Sequence, residues 1–333
     1  MAAVPDQPTH RPTIVPTLVP TIVPTAVDDA TIDLTDNRAV ESAGRELIAV
    51  RRDPQPQNPA TEPTAAPLTD AQIRRSDVDQ WGRSERLRSL VRTVYNPVYK
   101  YWFRAEWEGF EHLPADGGAL LVSNHAAAIP SDAPVIMHGI ETKLGRPVYG
   151  LAEHLFRTLP VVGTLWSRVG GVTANPDNAY RLLHDDRQLV LVFPEGTKGT
   201  GKTYGDRYQL ARFGRGGFVE IAMRAGVPII PLAVMGAEES MPIMWKSTRL
   251  AKLTRMPYFP VTANMLAFGP LGAALYFPAK FRIRVLPPLY FDVDPGQERY
   301  SRSRVMGESE RIRRQIQDAL YDMLRKRRSV WFG

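Results

Sequence analysis

From residue 76 onward the chain alternates between unbroken apolar runs and stretches with helical spacing. Ala119–Ser123 (ALLVS), Val148–Ala152 (VYGLA), residues 188–193 (QLVLVF) and Ile229–Met235 (IIPLAVM) are short apolar runs. That is the pattern of strands buried on both faces. Helical patterns separate them near residues 133–140, 178–184 and 216–225. The order predicts an α/β domain with a largely parallel central sheet flanked by helices. Ligands of such sheets sit at the carboxyl ends of strands, so the segments after ALLVS and QLVLVF carry the chemistry to inspect.

Amphipathic helices bracket this core. Over residues 81–103, Leu87, Leu90, Val91, Val94, Tyr95, Val98, Tyr99 and Trp102 recur at three- and four-residue spacing, which makes one apolar face. Arg83, Arg86, Arg88, Arg92, Lys100 and Arg104 surround it, and Pro97 is expected to kink or divide the helix. Two readings stay open: a core-packing helix, or one lying in a membrane interface with Trp and Tyr at headgroup depth. Near the end, residues 310–325 place Ile312, Ile316, Leu320, Met323 and Leu324 on one face. The basic run 325–328 and Trp331-Phe332 follow, resembling a surface anchor worth about 1 kcal/mol per basic residue near anionic lipid. Between the two lies an uncharged stretch, residues 256–279, long enough to suggest a membrane span. Pro257, Pro260, Pro270 and Pro278 break it as a helix. It reads instead as a substrate-lining or shallowly inserted loop, with buried core as the other option.

Residues 1–75 have a different texture. They contain a tetrapeptide repeat, PTIV-PTLV-PTIV-PTAV, starting at Pro12, Pro16, Pro20 and Pro24. Proline at every fourth position blocks helix and central strand, so a disordered, extended Pro-rich region is expected, with one short helix around residues 41–50. Residues 76–333 would form the single folded domain. The first residues lack a basic segment followed by a continuous apolar one, so the expected location is cytoplasmic, at the inner face of the cell membrane.

Charge sharpens the partner class. Residues 1–70 hold ten acids and five bases, so the rest must carry +12 to give the chain's net +7. A folded part that basic calls for an anionic partner. The cations lie beside apolar helix faces rather than in a nucleic-acid motif, which points to an anionic membrane surface and away from nucleic acid. The chain has no cysteine, which excludes a disulfide scaffold, a Cys-ligated metal and a cysteine nucleophile.

Two segments carry candidate chemistry. The first, SNHAAAIPSD (residues 123–132), follows the ALLVS strand and holds His125 and Asp132. A histidine oriented by a carboxylate takes a proton from an alcohol near neutral pH. A core histidine and a helix-capping aspartate remain the alternatives. The second, VFPEGTKGTGK (residues 192–202), follows QLVLVF. Glu195 with Gly196 and Thr197 makes a polar platform for substrate hydroxyls, and Lys198 and Lys202 add charge suited to phosphate. Residues 196–203 also match G-x-x-x-x-G-K-[ST], yet Gly205, Gly214, Gly216 and Gly217 interrupt the helix that a phosphate loop requires. That match reads as accidental.

Together with VPIIP (residues 227–231), these segments resemble the phospholipid and glycerolipid acyltransferase superfamily, whose members carry an NHxxxxD box, then FPEGT, then VPIIP. The similarity spans roughly residues 80–333. RFGRGGF (212–218) and MGAEE (235–239) look like a bacterial glycerolipid branch, 1-acylglycerol-3-phosphate acyltransferase-like. The resemblance implies His125 as base, Asp132 as its partner and Glu195 as the acceptor-binding carboxylate. It implies acyl-CoA or acyl carrier protein as donor, and a lysophospholipid or glycerolipid acceptor. No metal and no resident cofactor are expected.

Two departures stand out. The box here is H-x6-D, two residues longer than usual. The arginine that holds the acceptor phosphate is replaced near Asn175, with Arg168 and Arg181 flanking. Its loss favours a neutral acceptor, mono- or diacylglycerol, or a differently held one, over lysophosphatidate. The rivals from other classes are a non-catalytic membrane lipid-binding protein and a P-loop nucleotidase.

Overall fold

The computed structural model describes residues 77–152, 160–254, 258–297 and 299–333. The proline repeat and the short helix expected near residues 41–50 lie outside them. The helices that pack on the sheet include α1 (Glu85–Pro97), α2 (Asp132–Leu144), α3 (Pro160–Arg168), α4 (Gly217–Ala225) and α5 (Arg302–Lys326). The strands are β1 (Glu106–Glu108), β2 (Ala119–Ser123), β3 (Val148–Ala152), β4 (Gly171–Thr173), β5 (Leu189–Val192), β6 (Ile229–Met235), β7 (Ile243–Ser247), β8 (Phe259–Thr262) and β9 (Arg282–Val285).

Seven strands form the central sheet in the order β1-β9-β6-β2-β5-β3-β4. The run β6-β2-β5-β3-β4 is parallel throughout. β9 pairs antiparallel with β6 and parallel with β1. The protein is therefore the α/β fold with a mostly parallel sheet that the apolar runs predict. Each central strand feeds two cores. Leu121, Leu191 and Ile230 face the α1 and α2 side with Tyr99, Val135 and Ile140, whereas Leu120, Val190 and Ile229 face Met223, Ile316 and Leu320 of α4 and α5. Burying each such side chain contributes about 1.5–3 kcal/mol, which is why the four predicted strands form where they do.

The first amphipathic helix differs from expectation. Its inner side carries Tyr95, Val98 and Tyr99 together with a buried Arg88 that pairs with Glu141 of α2. Leu90, Val94 and Tyr101 form a second, exposed apolar stripe. At Pro97 the helix widens into a π-helical turn, Val98–Trp102, which absorbs the missing N–H. Within the uncharged stretch, the described part holds β8, a short helix Ala263–Phe268 and a 3₁₀ turn Gly269–Ala274. Leu266, Phe268, Leu271 and Leu275 are exposed there, so buried core is not its state. Among the described residues no helix is long and apolar enough to cross a membrane.

Candidate active site

Strands β6, β2 and β5 are neighbours and parallel, so the segments leaving their carboxyl ends meet on one edge. β2 delivers Asn124 and His125, β5 delivers Phe193 to Gly196, and β6 delivers Glu238 and Glu239. Asn124 is buried, and its side-chain amide both donates to Val234 O and accepts from Val234 N–H, each at 2.8 Å. That paired bond extends the β2–β6 ladder by one step and fixes where His125 leaves the sheet.

The longer box returns its aspartate to the imidazole. Asp132 opens α2 and is fully buried, with Oδ2 2.9 Å from His125 Nδ1. The same oxygen accepts from Ala126 N–H at 2.9 Å, and Oδ1 accepts from Ala133 N–H at 2.8 Å. These amides fix the carboxylate in place, and its Oδ2 orients Nδ1 of the imidazole towards it as the donor. Nε2 makes no hydrogen bond among the described residues, and the side chain is 13% exposed. Between them, Ala127 sits at φ 73, a left-handed conformation that costs an L-residue energy and lets the two extra residues turn back. The imidazole also stacks on Phe193, centroids 4.1 Å apart.

Glu195 departs from its expected role. Its Oε1 accepts from the backbone N–H of His125 at 2.9 Å, and its Oε2 accepts from Ala211 N–H at 2.6 Å. Lys202 Nζ lies 3.3 Å from Oε2, and the side chain is fully buried. No oxygen of Glu195 is open to a substrate hydroxyl; the carboxylate braces the His125 main chain instead. Lys202 is likewise committed, bridging Glu195 to Glu238 at 3.2 Å. It is not a free phosphate cation, and a 3₁₀ turn rather than a long helix follows it, so the phosphate-loop pattern has no structural counterpart. Burial, with Glu239 adding, pushes the Glu238 carboxyl up to about 7 against the pull of Lys202.

The remaining expected residues scatter. Gly196 adopts φ 55, ψ −144, open essentially to glycine alone, and its N–H is used by Phe193 O at 3.0 Å. Thr197 and Lys198 lie exposed in the single turn that follows. Asn175 is an exposed helix cap accepting from Asp177 N–H at 2.8 Å. Arg168 ends α3 and precedes β4, which places it at the amino end of the sheet, away from His125. Sequence reasoning missed Asn124, Phe193, Glu238 and Gly199. A Cβ on Gly199 would meet His125 Cβ at 2.8 Å and Glu195 Cβ at 2.9 Å. Only the unexplained acidic pair of MGAEE hinted at Glu238.

The family model described as Acyltransferase matches residues 104–235, which hold all three boxes. An uncharacterized protein of Mycobacterium tuberculosis is 37% identical over 77% of this chain and 72% of its own length. The chain belongs to the phospholipid and glycerolipid acyltransferase superfamily. A bovine relative named "DGAT1/2-independent enzyme synthesizing storage lipids" is 24% identical over 73% of this chain and 71% of its own. A crystal structure of the 1-acyl-sn-glycerophosphate (LPA) acyltransferase from Thermotoga maritima aligns with TM-score 0.46 and 20% identity, covering 74% of this chain and 84% of that one. As an acyltransferase, the protein has an acyl donor and a lipid acceptor as its general partners.

An apolar groove of about 400 Å³ opens near the dyad, lined by Pro97, Tyr101, Trp102, Leu275 and Tyr276 among others. Trp102 Nε1 donates to Tyr276 O at 3.0 Å, and the Tyr276 hydroxyl donates to Ile129 O, inside the His125–Asp132 loop. Burial, with the Asp132 charge adding, pushes Tyr276 up to about 12, so it stays neutral.

Proposed function

We propose that the protein moves a fatty acyl group from acyl-CoA to a hydroxyl of a lysophospholipid or glycerolipid, with His125 as general base. The observation that carries this is the Nδ1–Asp132 bond beside an unbonded Nε2. Nε2 takes the acceptor O–H proton as the oxygen attacks the thioester carbonyl. The tetrahedral intermediate then collapses, the C–S bond breaks, and the imidazolium returns its proton to the departing thiolate. The ester forms with no covalent acyl-enzyme, in keeping with a chain that has no cysteine. The Trp102–Tyr276 groove suits the acyl chain. The exposed Leu266, Phe268, Leu271 and Phe332, with nearby basic residues, suit peripheral attachment to an anionic membrane on its cytoplasmic face.

A neutral acceptor, mono- or diacylglycerol, is the second reading. It is favoured because Lys202 is ion-paired and Arg168 lies at the far end of the sheet, and because storage-lipid synthesis appears in a relative's name. Free-thiol release from palmitoyl-CoA, offered lysophosphatidate, lysophospholipids, monoacylglycerol and diacylglycerol on vesicles, tests both. Acceptor-dependent release, lost in His125→Ala, is expected. Release that persists in that variant removes His125 as base.

A further inference from the structure

Several cations near this edge have counter-charges. Lys202 is held by Glu195 and Glu238, Lys280 by Glu106 at 2.7 Å, and Arg284 by Glu108 and Asp322. Arg207 and Arg328 do not, and both line one cavity of about 250 Å³, with Tyr204, Tyr208 and Arg327.

That cavity lies on the same edge as His125. β9 runs antiparallel to β6 with Arg282 opposite Met235, so Lys280 sits at the carboxyl end of β6. Lys280 N–H donates to Val330 O at 3.1 Å, which brings the segment after α5 to that edge. Tyr204 and Tyr208 arrive from the loop that follows Lys202. Tyr208 N–H donates to Glu238 at 2.8 Å, and Glu238 pairs with Lys202, so the cavity wall is joined to the Glu195 side of the site. The apolar groove is joined to its other side, through Tyr276 and Ile129.

One of the two guanidiniums is preorganised and the other is free. Arg207 stacks over the Tyr204 ring at 4.3 Å and spends one nitrogen on Tyr204 O at 2.8 Å, leaving the rest of its fork uncommitted. Arg328 is exposed, with no hydrogen bond or ion pair among the described residues. Arg327 between them is saturated by Glu239, the Tyr208 hydroxyl at 2.9 Å and Val330 O. A planar, ring-supported fork beside a second free guanidinium matches a phosphate ester, which accepts two parallel N–H bonds. A volume of about 250 Å³ suits a phosphorylated, sugar-sized group.

We propose that Arg207 and Arg328 form a binding site for a phosphate ester of one of the substrates: the phosphorylated handle of the acyl donor, or a phosphate headgroup of the acceptor. The inference rests on the acyltransfer reading for its ligand, and its test includes binding that needs no turnover.

The full chain is titrated calorimetrically with free CoA and, separately, with lysophosphatidate below its micellar concentration. Wild type is compared with Arg207→Gln, Arg328→Gln and the double variant, each checked for an unchanged melting temperature. A loss of about tenfold in CoA affinity per arginine, with a matching rise in KM for acyl-CoA at constant kcat, supports the site with the donor as source. The same losses confined to lysophosphatidate support it with the acceptor as source. Unchanged affinity for both ligands in the double variant overturns it. A binding loss in these variants, combined with full turnover by His125→Ala, would retain the site and reject the base.

Discussion

The backbone N–H of His125 donates to Oε1 of Glu195 at 2.9 Å, although seventy residues separate them in the chain. The imidazole of the same histidine is held by Asp132, also at 2.9 Å. One buried carboxylate thus fixes the main chain and another fixes the ring. The FPEGT box contributes a brace, and Gly199 just beyond it gives the room in which the brace and the histidine approach each other.

Lys202 belongs to that brace, and its removal separates positioning from binding. Lys202→Met leaves two buried carboxylates facing each other with no cation between them, which destabilises the fold by about 3 kcal/mol. The His125 main chain then loses its register, so kcat falls by about a hundredfold with KM for donor and acceptor unchanged. Lys202→Arg recovers part of the rate. Steady-state kinetics decide the matter: a raised KM at normal kcat would return Lys202 to phosphate binding.

Asp132→Asn tests the ring side. The amide can present one oxygen, so either the imidazole and Ala126 N–H together or Ala133 N–H alone lose their acceptor, and in the first case an NH2 faces the ring. The imidazole is then free to settle in the wrong tautomer. The expected loss is about three to four orders of magnitude in kcat, with little change in KM. Stopped assays over pH 6–9 check it, and a variant within tenfold of wild type would assign the carboxylate to helix capping alone.

The residues that were legible in sequence share one property: each sits where an apolar run stops. ALLVS and QLVLVF form adjacent parallel strands, so periodicity was enough to bring the segments of His125 and FPEGT to one edge of the sheet. β9 was passed over because it is not an unbroken apolar run, although Arg282 and Arg284 alternate with Ile283 and Val285 in the period-two pattern of a strand with one core face. β4, three residues long, offers too little pattern to read. Arg168 looked adjacent to the site in sequence, but the helix before β4 carries it to the opposite end of the sheet. Glu195 and Lys202 read as substrate-binding groups and Arg88 as basic surround, and pairing with distant partners in the fold buried all three. Composition carries no trace of such pairing.

His138 should make stability depend on acidity. It lies in α2 between the rings of Tyr95 and Tyr99, at 5.2 and 4.8 Å, with neither ring nitrogen hydrogen-bonded. Burial, with Arg88 nearby, pushes it down to about 4 from 6.5. As pH falls through 6.5 the unfolded chain takes the proton first. The folded state therefore keeps its full stability above that value and loses it progressively towards pH 4. Melting temperatures of wild type should drop across this window, and those of His138→Phe should drop less. Parallel curves would show that another group governs the acid limb.

Gly199→Ala is the sharpest test of the brace. The added methyl would lie 2.8 Å from His125 Cβ, 2.9 Å from Glu195 Cβ and 2.9 Å from His125 O. Two of these atoms are stiffly attached to the backbone and the third is backbone itself, so none can swing aside as a flexible side-chain end would. The histidine and the carboxylate must move apart, which should cost at least about 2 kcal/mol of stability and most of kcat. Gly307→Ala supplies the comparison. That residue is exposed in the interior of α5, a Cβ there meets nothing within 4 Å, and alanine favours the helix by about 1 kcal/mol. Denaturant unfolding and turnover measured on both variants should move in opposite directions for stability, with activity lost only in Gly199→Ala. Wild-type turnover from Gly199→Ala would mean that the loop relaxes without disturbing His125, and that the close approach of the two boxes does not govern the chemistry.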